Sequence, residues 1–324
     1  MYKLDEKDKK ILYQLDVNSR QPVSVIARKT KLTKDVVNYR IKKLLEEGVI
    51  MKFLAVFDTS KLGYTLYKIF LRLQNANKKK EEEIIDYLKN HSNVQWVVST
   101  DGMFDILFNV FVKDTIELDN ILNDLQSKYG SFIAERQMLV MLKTNIFYRD
   151  YLIGRSSEVR KPIHFGAHSE KVKIDDTDRK ILRLLGDDGR MPLVEIANKL
   201  KISADSARIR IKKLENSGII QNYVLVLDNS KIGQSDYKIL LKTQNMTEER
   251  KKDFFVYCKS QPNIWFFDIA LGIFDLEINA EVEDITKFRE IISEIKEKFS
   301  DIIKEYYILN MWKVYKFNFY PMEV

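Results

Sequence analysis

The chemistry most visible in the sequence is that of cations set on helices. Arg40 to Leu44 and Arg210 to Leu214 spell the same five residues, RIKKL, and in the first copy Val37, Ile41 and Leu44 recur at helical spacing. On the faces not used for packing, the first helix carries Lys34, Asn38, Tyr39, Arg40, Lys42 and Lys43, and the second carries Asp205, Arg208, Arg210, Lys212 and Lys213. Long cations hold phosphate oxygens, while Asn and Arg match the paired hydrogen-bonding edges of adenine and guanine, so the set suits double-stranded DNA. Lys34, Asn38, Tyr39 and Arg208 lie early in their helices and are expected to read bases, whereas Lys42, Lys43, Lys212 and Lys213 are expected to hold phosphates. The plainer alternative is a solvated helix face, and Arg40 and Arg210 also suit pairing within their own domains.

Charge follows the same division. The 324 residues carry a net charge of +7, with 45% hydrophobic content that indicates globular domains. Met1 to Lys52 holds 13 Lys and Arg against 7 Asp and Glu, and Lys171 to Asn222 holds 12 against 8, while the segments between and after them are close to neutral or mildly acidic. Basic charge concentrated in two short helical modules favours a polyanion. No apolar run reaches the ~18 residues of a membrane span, and Met1 to Lys10 is too charged for a leader, so a cytoplasmic protein without membrane contact is expected. Cys258, the single cysteine, reads as an apolar filler of a helix. His164 and His168 are four apart but lie in a glycine-containing stretch with no third ligand near, and His91 ends a charged helix, so no metal is expected. Neither a Gly-rich phosphate loop nor a nucleophile motif stands out, so no cofactor and no enzymatic activity are expected.

The elements that must hold these cations come twice. A shift of 170 positions brings Asp5, Asp8, Ile11, Leu12 and Leu15 onto Asp175, Asp178, Ile181, Leu182 and Leu185, and it keeps Arg20, Pro22, Ile26 and Ala27 in step with Arg190, Pro192, Ile196 and Ala197. So long a register means duplication of a two-domain unit rather than a short solenoid repeat. In each copy an Asp-capped helix, a second helix after Pro22 or Pro192, a tight turn ending in Thr33 or Ser203 and the RIKKL helix make a helix-turn-helix. Gly48 and Gly218 end the third helix, and the β-rich run after each reads as a wing strand. The remainder of each unit reads β-α-β-β-α-β, a split βαβ arrangement whose bare sheet face seeks a partner. Phe70, Phe108, Leu240 and Ile278 are candidates for that face.

The fold class expected is α+β, with two winged helix-turn-helix domains, 1–52 and 173–222, alternating with two ferredoxin-like regulatory domains, 53–151 and 223–324, and a linker at 152–172. The order LDEKDKKILYQL, RIKKL, GVI and GMFD, repeated as IDDTDRKIL, RIKKLENSGII and GIFD, resembles the Lrp/AsnC, or feast/famine, transcription regulators over nearly all of both units. The resemblance implies sequence-specific DNA binding by the winged helices, with transcription regulation modulated by a small-molecule effector such as an amino acid, and a homo-oligomer paired through the C-terminal domains. It also implies that Gly102, Asp105, Gly272 and Asp275, in the GMFD and GIFD hairpins, border the effector pocket; on their own terms these are hairpin turns that use glycine for its backbone freedom. What departs from the family is the fusion of two copies. A sirohaem-decarboxylase-like tetrapyrrole enzyme of related architecture is the alternative, but Met51 to Ser60 and Gln221 to Ser230 lack the His and Arg that this activity implies after the wing.

Overall fold

The computed structural model describes residues 1–154, 161–166 and 170–320. Unit one runs α1 (Glu6–Val17), α2 (Val23–Thr30), α3 (Lys34–Glu46), β1 (Ile50–Phe57), β2 (Thr65–Leu73), α4 (Lys78–Asn90), β3 (Val94–Asp101), β4 (Ile106–Val112), α5 (Thr115–Tyr129) and β5 (Ile133–Ile146). A short strand, β6 (Ile163–Gly166), follows in the stretch expected to be linker, where it pairs with the end of β5. Unit two repeats the series as α6 (Asp176–Asp187), α7 (Leu193–Leu200), α8 (Ala204–Asn216), β7 (Ile220–Leu227), β8 (Ser235–Thr243), α9 (Glu248–Ser260), β9 (Ile264–Gly272), β10 (Leu276–Val282), α10 (Ile285–Phe299) and β11 (Ile303–Phe317). His164 lies exposed on β6, and His168 lies outside the described residues. No described helix is long and apolar enough to cross a membrane.

Local chemistry explains where the helices begin. Asp5 accepts from the backbone N–H of Lys7 and Asp8 while Asp8 reaches back to the N–H of Asp5, a reciprocal cap that Asp175 and Asp178 repeat. Thr33 and Ser203 cap the third helices through the N–H groups of Val36 and Ser206. Before each of them Lys31 and Lys201 take left-handed backbone, which folds the chain tightly between the second and third helices.

The wing strands do not stay at home. β1 pairs antiparallel with β7 of the other unit, so the domain boundaries expected at 52/53 and 222/223 fall inside a shared two-stranded ribbon. Leu225 and Leu227 of β7 are buried in the core of the first head beside Ile11, Leu15, Val37 and Leu44. Leu54 and Val56 of β1 are buried in the second head beside Ile181, Leu185, Ala207 and Leu214. At about 1.5–3 kcal/mol per buried aliphatic side chain, these four exchanged residues outweigh any surface ion pair. Each head therefore depends on the other unit for its core.

The remaining strands close on themselves in the order β2-β4-β3-β11-β8-β10-β9-β5, with β5 pairing back to β2. β5 pairs with β2 along its first half and with β9 along its second, and β11 does the same with β8 and β3. The helices α4 and α5, and α9 and α10, cover the outer faces. Between the two sheets Phe70, Leu107, Phe104, Leu139, Leu240, Phe274 and Leu309 form an inner core. Phe70 and Leu240 thus face the opposite sheet as expected, whereas Phe108 and Ile278 face the helices. Register supplies the reason: Phe108 stands opposite Ile69 and Leu107 opposite Phe70, so Phe108 has the other parity.

Candidate nucleic-acid interface and interior cavity

On α3 the side chains of Lys34, Asn38, Tyr39, Lys42 and Lys43 are exposed, and on α8 those of Asp205, Arg208, Lys212 and Lys213 are. Tyr39 is 67% exposed and its counterpart Ile209 65%, so each helix presents a bulky residue with no core to enter. Arg208 is paired to Asp205 at 2.8 Å, one turn away, and both side chains are mostly exposed. Such a pair exchanges readily for a base or a phosphate.

Arg40 and Arg210 are placed differently. The Arg40 guanidinium donates to Asp5 at 2.8 Å and Asp8 at 2.7 Å, and Arg210 donates to Asp175 and Asp178 at 2.7 Å each. Both therefore clamp the third helix to the capped start of the first helix, through Nη1 of each guanidinium. These ion pairs fit the pairing within each domain that the sequence offered as the alternative to DNA contact for these two residues. The N–H of Asp178 and the guanidinium of Arg210 hold the Asp175 carboxyl below the usual carboxylate range.

The hairpin residues are also spent on structure. Asp105 accepts from the Leu73 N–H at 2.6 Å, and Asp275 accepts from the N–H and hydroxyl of Thr243 at 2.6 and 2.9 Å. Gly102 has a φ of +138°, and a side chain there would meet the Ile308 carbonyl and Leu309 of the other unit; Gly272, at +146°, lies in the same way against Met138 and Leu139. The glycines let the two units approach, and all four residues lie apart from the large interior cavity.

That cavity, of about 530 Å³, opens between the sheets and the β1–β7 ribbon. Its walls include Trp96, Trp265, Phe266 and Phe317 together with Lys68, Asn109, Asp236, Lys238, Asp268 and Asn279. Lys68 is bonded to Asp268 at 3.2 Å and closely to Glu277, and Lys238 bonds Glu277 at 3.1 Å and Asn279 at 2.7 Å. At one end Arg149 joins Asp16 of α1 at 2.7 Å to Glu281 of β10 at 2.8 Å, with Tyr151 donating to Glu281 at 2.8 Å. Burial works against the charge of Arg149, but Glu281 and Asp16 outweigh it and keep the guanidinium protonated. Burial likewise lifts Asp268 above the usual carboxylate range, and burial with Glu281 close by lifts Asp236 well above it.

The winged helix-turn-helix DNA-binding family profile matches residues 4–51 and 174–221. The HTH-type transcriptional regulator FL11 of Pyrococcus horikoshii is 32% identical over 142 residues, which span 91% of that protein and 44% of this chain. The leucine-responsive regulatory protein of Rhizobium meliloti is 30% identical over 125 residues, 80% of its length and 38% of this chain. The chain belongs to the Lrp/AsnC family of DNA-binding transcription regulators. Its relatives match one unit, and this member carries two. Over the whole chain the fold is similar to that of the siroheme decarboxylase NirDL, with a TM-score of 0.61 and 15% identity, covering 99% of this chain and 95% of that one. That likeness concerns the fold.

Within this Lrp/AsnC chain the sequence reading missed the interior charges. A signal existed: in Leu276 to Val282, LEINAEV, charged and amide residues alternate at Glu277, Asn279 and Glu281, and all three are buried. A strand covered on both faces has no solvent side to which such residues could turn. Arg20 and Arg190, noticed only as repeat matches, are equally informative. Arg20 donates to the Gly189 carbonyl at 2.7 Å and Arg190 donates to the Ser19 carbonyl, so each unit grips a loop of the other.

Proposed function

We propose that a single chain is a complete two-headed reader of an asymmetric DNA site, acting in transcription regulation and not as an enzyme. One observation carries this reading: corresponding exposed positions on α3 and α8 hold different residues, with Lys34 against Ala204, Asn38 against Arg208 and Tyr39 against Ile209. Arg208 suits the two acceptors of guanine and Asn38 the donor and acceptor of adenine, each discriminating by ~1–3 kcal/mol when well made. The heads then prefer different half-sites, spaced about one helical turn or a multiple of it. Two chains pairing through a twofold axis would repeat this asymmetric unit inverted. Against a tetrapyrrole enzyme stand β1 and β7, which contain neither His nor Arg, and the cavity wall, which among the described residues holds no histidine and whose Arg149 is paired with Asp16 and Glu281.

Modulation by a small molecule belongs to the same reading, supported by the cavity between the regulatory sheets rather than by the hairpin residues. The test of the DNA reading is selection of bound sequences from a random duplex pool, repeated with Arg208→Ala and with Asn38→Ala. Each substitution is expected to erase preference in one half-site only. A palindrome weakened equally in both arms by either change would overturn the two-headed reading.

A further inference from the structure

The cavity has a hydrogen-bonding imbalance. Among the described residues, the carbonyl or carboxylate oxygens Asn109 Oδ1, Asn229 Oδ1, Gln234 Oε1, Asp236 Oδ1 and Asp268 Oδ1 are closed off from solvent and accept no hydrogen bond, and all five residues line the cavity. Asp268 is only 3% exposed. Buried polar atoms are rarely left unmatched, and a group of them around one space describes what that space would accept. Trp265 Nε1, which also lines the cavity, is an unmatched donor, so with five oxygens against one N–H the unmet demand is mainly for donors.

Charge points the same way. Lys68, Lys238 and Arg149 are each taken up by carboxylates, and together they face Asp16, Asp236, Asp268, Glu277 and Glu281. Asp236 makes none of the ion pairs among the described residues, and burial with Glu281 close by leaves its carboxyl without a cation of its own and lifts it above the usual range. A ligand carrying a carboxylate or phosphate would find these three cations already paired, leaving the exposed Lys313 as the further cation of the lining. A ligand carrying an ammonium would find Asp236, with the unmatched oxygen of Asp268 behind the wall, and the rings of Trp96 and Trp265. Indole rings attract cations, and Lys68 and Lys238 already stand 5.9 Å from the Trp96 ring with Arg149 4.1 Å from that of Trp265. The volume of about 530 Å³ falls within the range of ~300–1,000 Å³ usual for small-molecule sites.

We propose that this cavity binds a small organic amine in its protonated form, with the ammonium held by Asp236 and the neighbouring open oxygens and the apolar body against the tryptophans. The site is one-sided. At the position corresponding to Asp236 unit one has Leu66, and at that of Asp268 it has Val98, so a single amine per chain is expected. The proposal does not depend on which DNA the heads read.

The experiment is calorimetric titration of the full chain with phenethylamine, tryptamine and cadaverine, set against 2-phenylethanol and 3-phenylpropanoate as neutral and anionic counterparts of the first. At least one amine is expected to bind with one site per chain, and neither the alcohol nor the acid is expected to match it. Asp236→Asn keeps the side-chain shape and should weaken the amine roughly tenfold or more, the usual consequence of losing a charged hydrogen-bonding partner. Asp236→Leu, which installs the residue of unit one, should abolish binding, and unfolding curves recorded in parallel identify either variant that fails to fold. No binding by any of the three amines, equal binding of phenethylamine and 2-phenylethanol, or amine affinity unchanged in a folded Asp236→Asn protein would each overturn the proposal.

Discussion

The two units are most alike in the caps and clamps that frame their heads and least alike between their sheets, where they face each other. Their helix caps, their guanidinium clamps and the starting residues of their strands coincide after the shift of 170 positions. Between the sheets, unit two places Asp236, Asp268, Glu277 and Glu281 where unit one places Leu66, Val98, Leu107 and Phe111. Opposite the Arg149–Asp16 pair the matching positions are Phe319 and Gly186, both in or against an aromatic cluster with Tyr320. Both units keep an inward lysine, Lys68 and Lys238, yet the acids that neutralise both lysines come from unit two. Duplication copied the backbone, and the interior then became a single electrostatic arrangement spread over both copies. Neither unit balances its own buried charge.

This comparison is most easily broken at Arg149. Replacing it with Met leaves Asp16 and Glu281 buried without a cation, and the expected loss is about 3–5 kcal/mol of unfolding free energy in urea. The triple replacement Asp16→Gly, Arg149→Phe and Glu281→Phe, which installs the residues at the matching positions, is expected to cost less than Arg149→Met alone. If the triple variant is the less stable, the two ends of the interior are not alternative solutions of one packing problem.

The likeness of the heads is tested by charge reversal. Lys42→Glu combined with Lys212→Glu should weaken binding to all duplex sequences and lower the slope of log affinity against log salt by about 2, one phosphate contact per lysine. A change confined to one half-site would mean that one of these lysines reads bases. Smaller in scale is the loop where the units interlock. Gly189 lies so close to Leu54 and Ala55 that a side-chain carbon would come within 2.7 Å of backbone, whereas the matching residue in unit one is Ser19. Gly189→Ala should cost about 1–3 kcal/mol, and Ser19→Gly much less, when both are measured by thermal unfolding.

The smallest effects belong to the clamps. Arg40→Ala and Arg210→Ala should each cost no more than about 1 kcal/mol and leave the selected DNA sequence unchanged. A changed base preference would return these two residues to the reading surface. Because Asp175 is held below its ordinary value when folded, its contribution is present above the unfolded carboxylate range and is lost as pH falls through the folded value. Arg210→Ala should therefore flatten the acid side of the stability profile, and an unaltered profile would show that the clamp is idle.

Most of the heads was legible in the sequence because caps, turns and helical spacing are local signals. Asp5, Pro22, Thr33 and Gly48 each act within a few residues of themselves, and the structure uses them as read. The sheets were legible as elements but only partly as faces, since Phe108 and Phe70 acquire opposite sides only through a pairing register that no single strand displays. The exchange of β1 and β7 left no trace, because a strand's own residues do not name its partner. For the site, the exposed cations could be placed, but Arg40 looks like Lys42 until Asp5 and Asp8 are seen beside it. The interior carboxylates were passed over because alternation in LEINAEV reads as an ordinary half-exposed strand.

The exchanged ribbon has a further consequence in terms of mass action. In an assembly of separate one-headed chains, the fraction that is two-headed falls as the protein is diluted, and its apparent affinity for DNA falls with it. Here β1 and β7 belong to one polypeptide, so each head finds its missing strand at an effective concentration fixed by the chain and independent of how much protein is present. Occupancy of a two-part site should then follow the total number of chains in direct proportion, without the threshold that assembly from separate copies imposes.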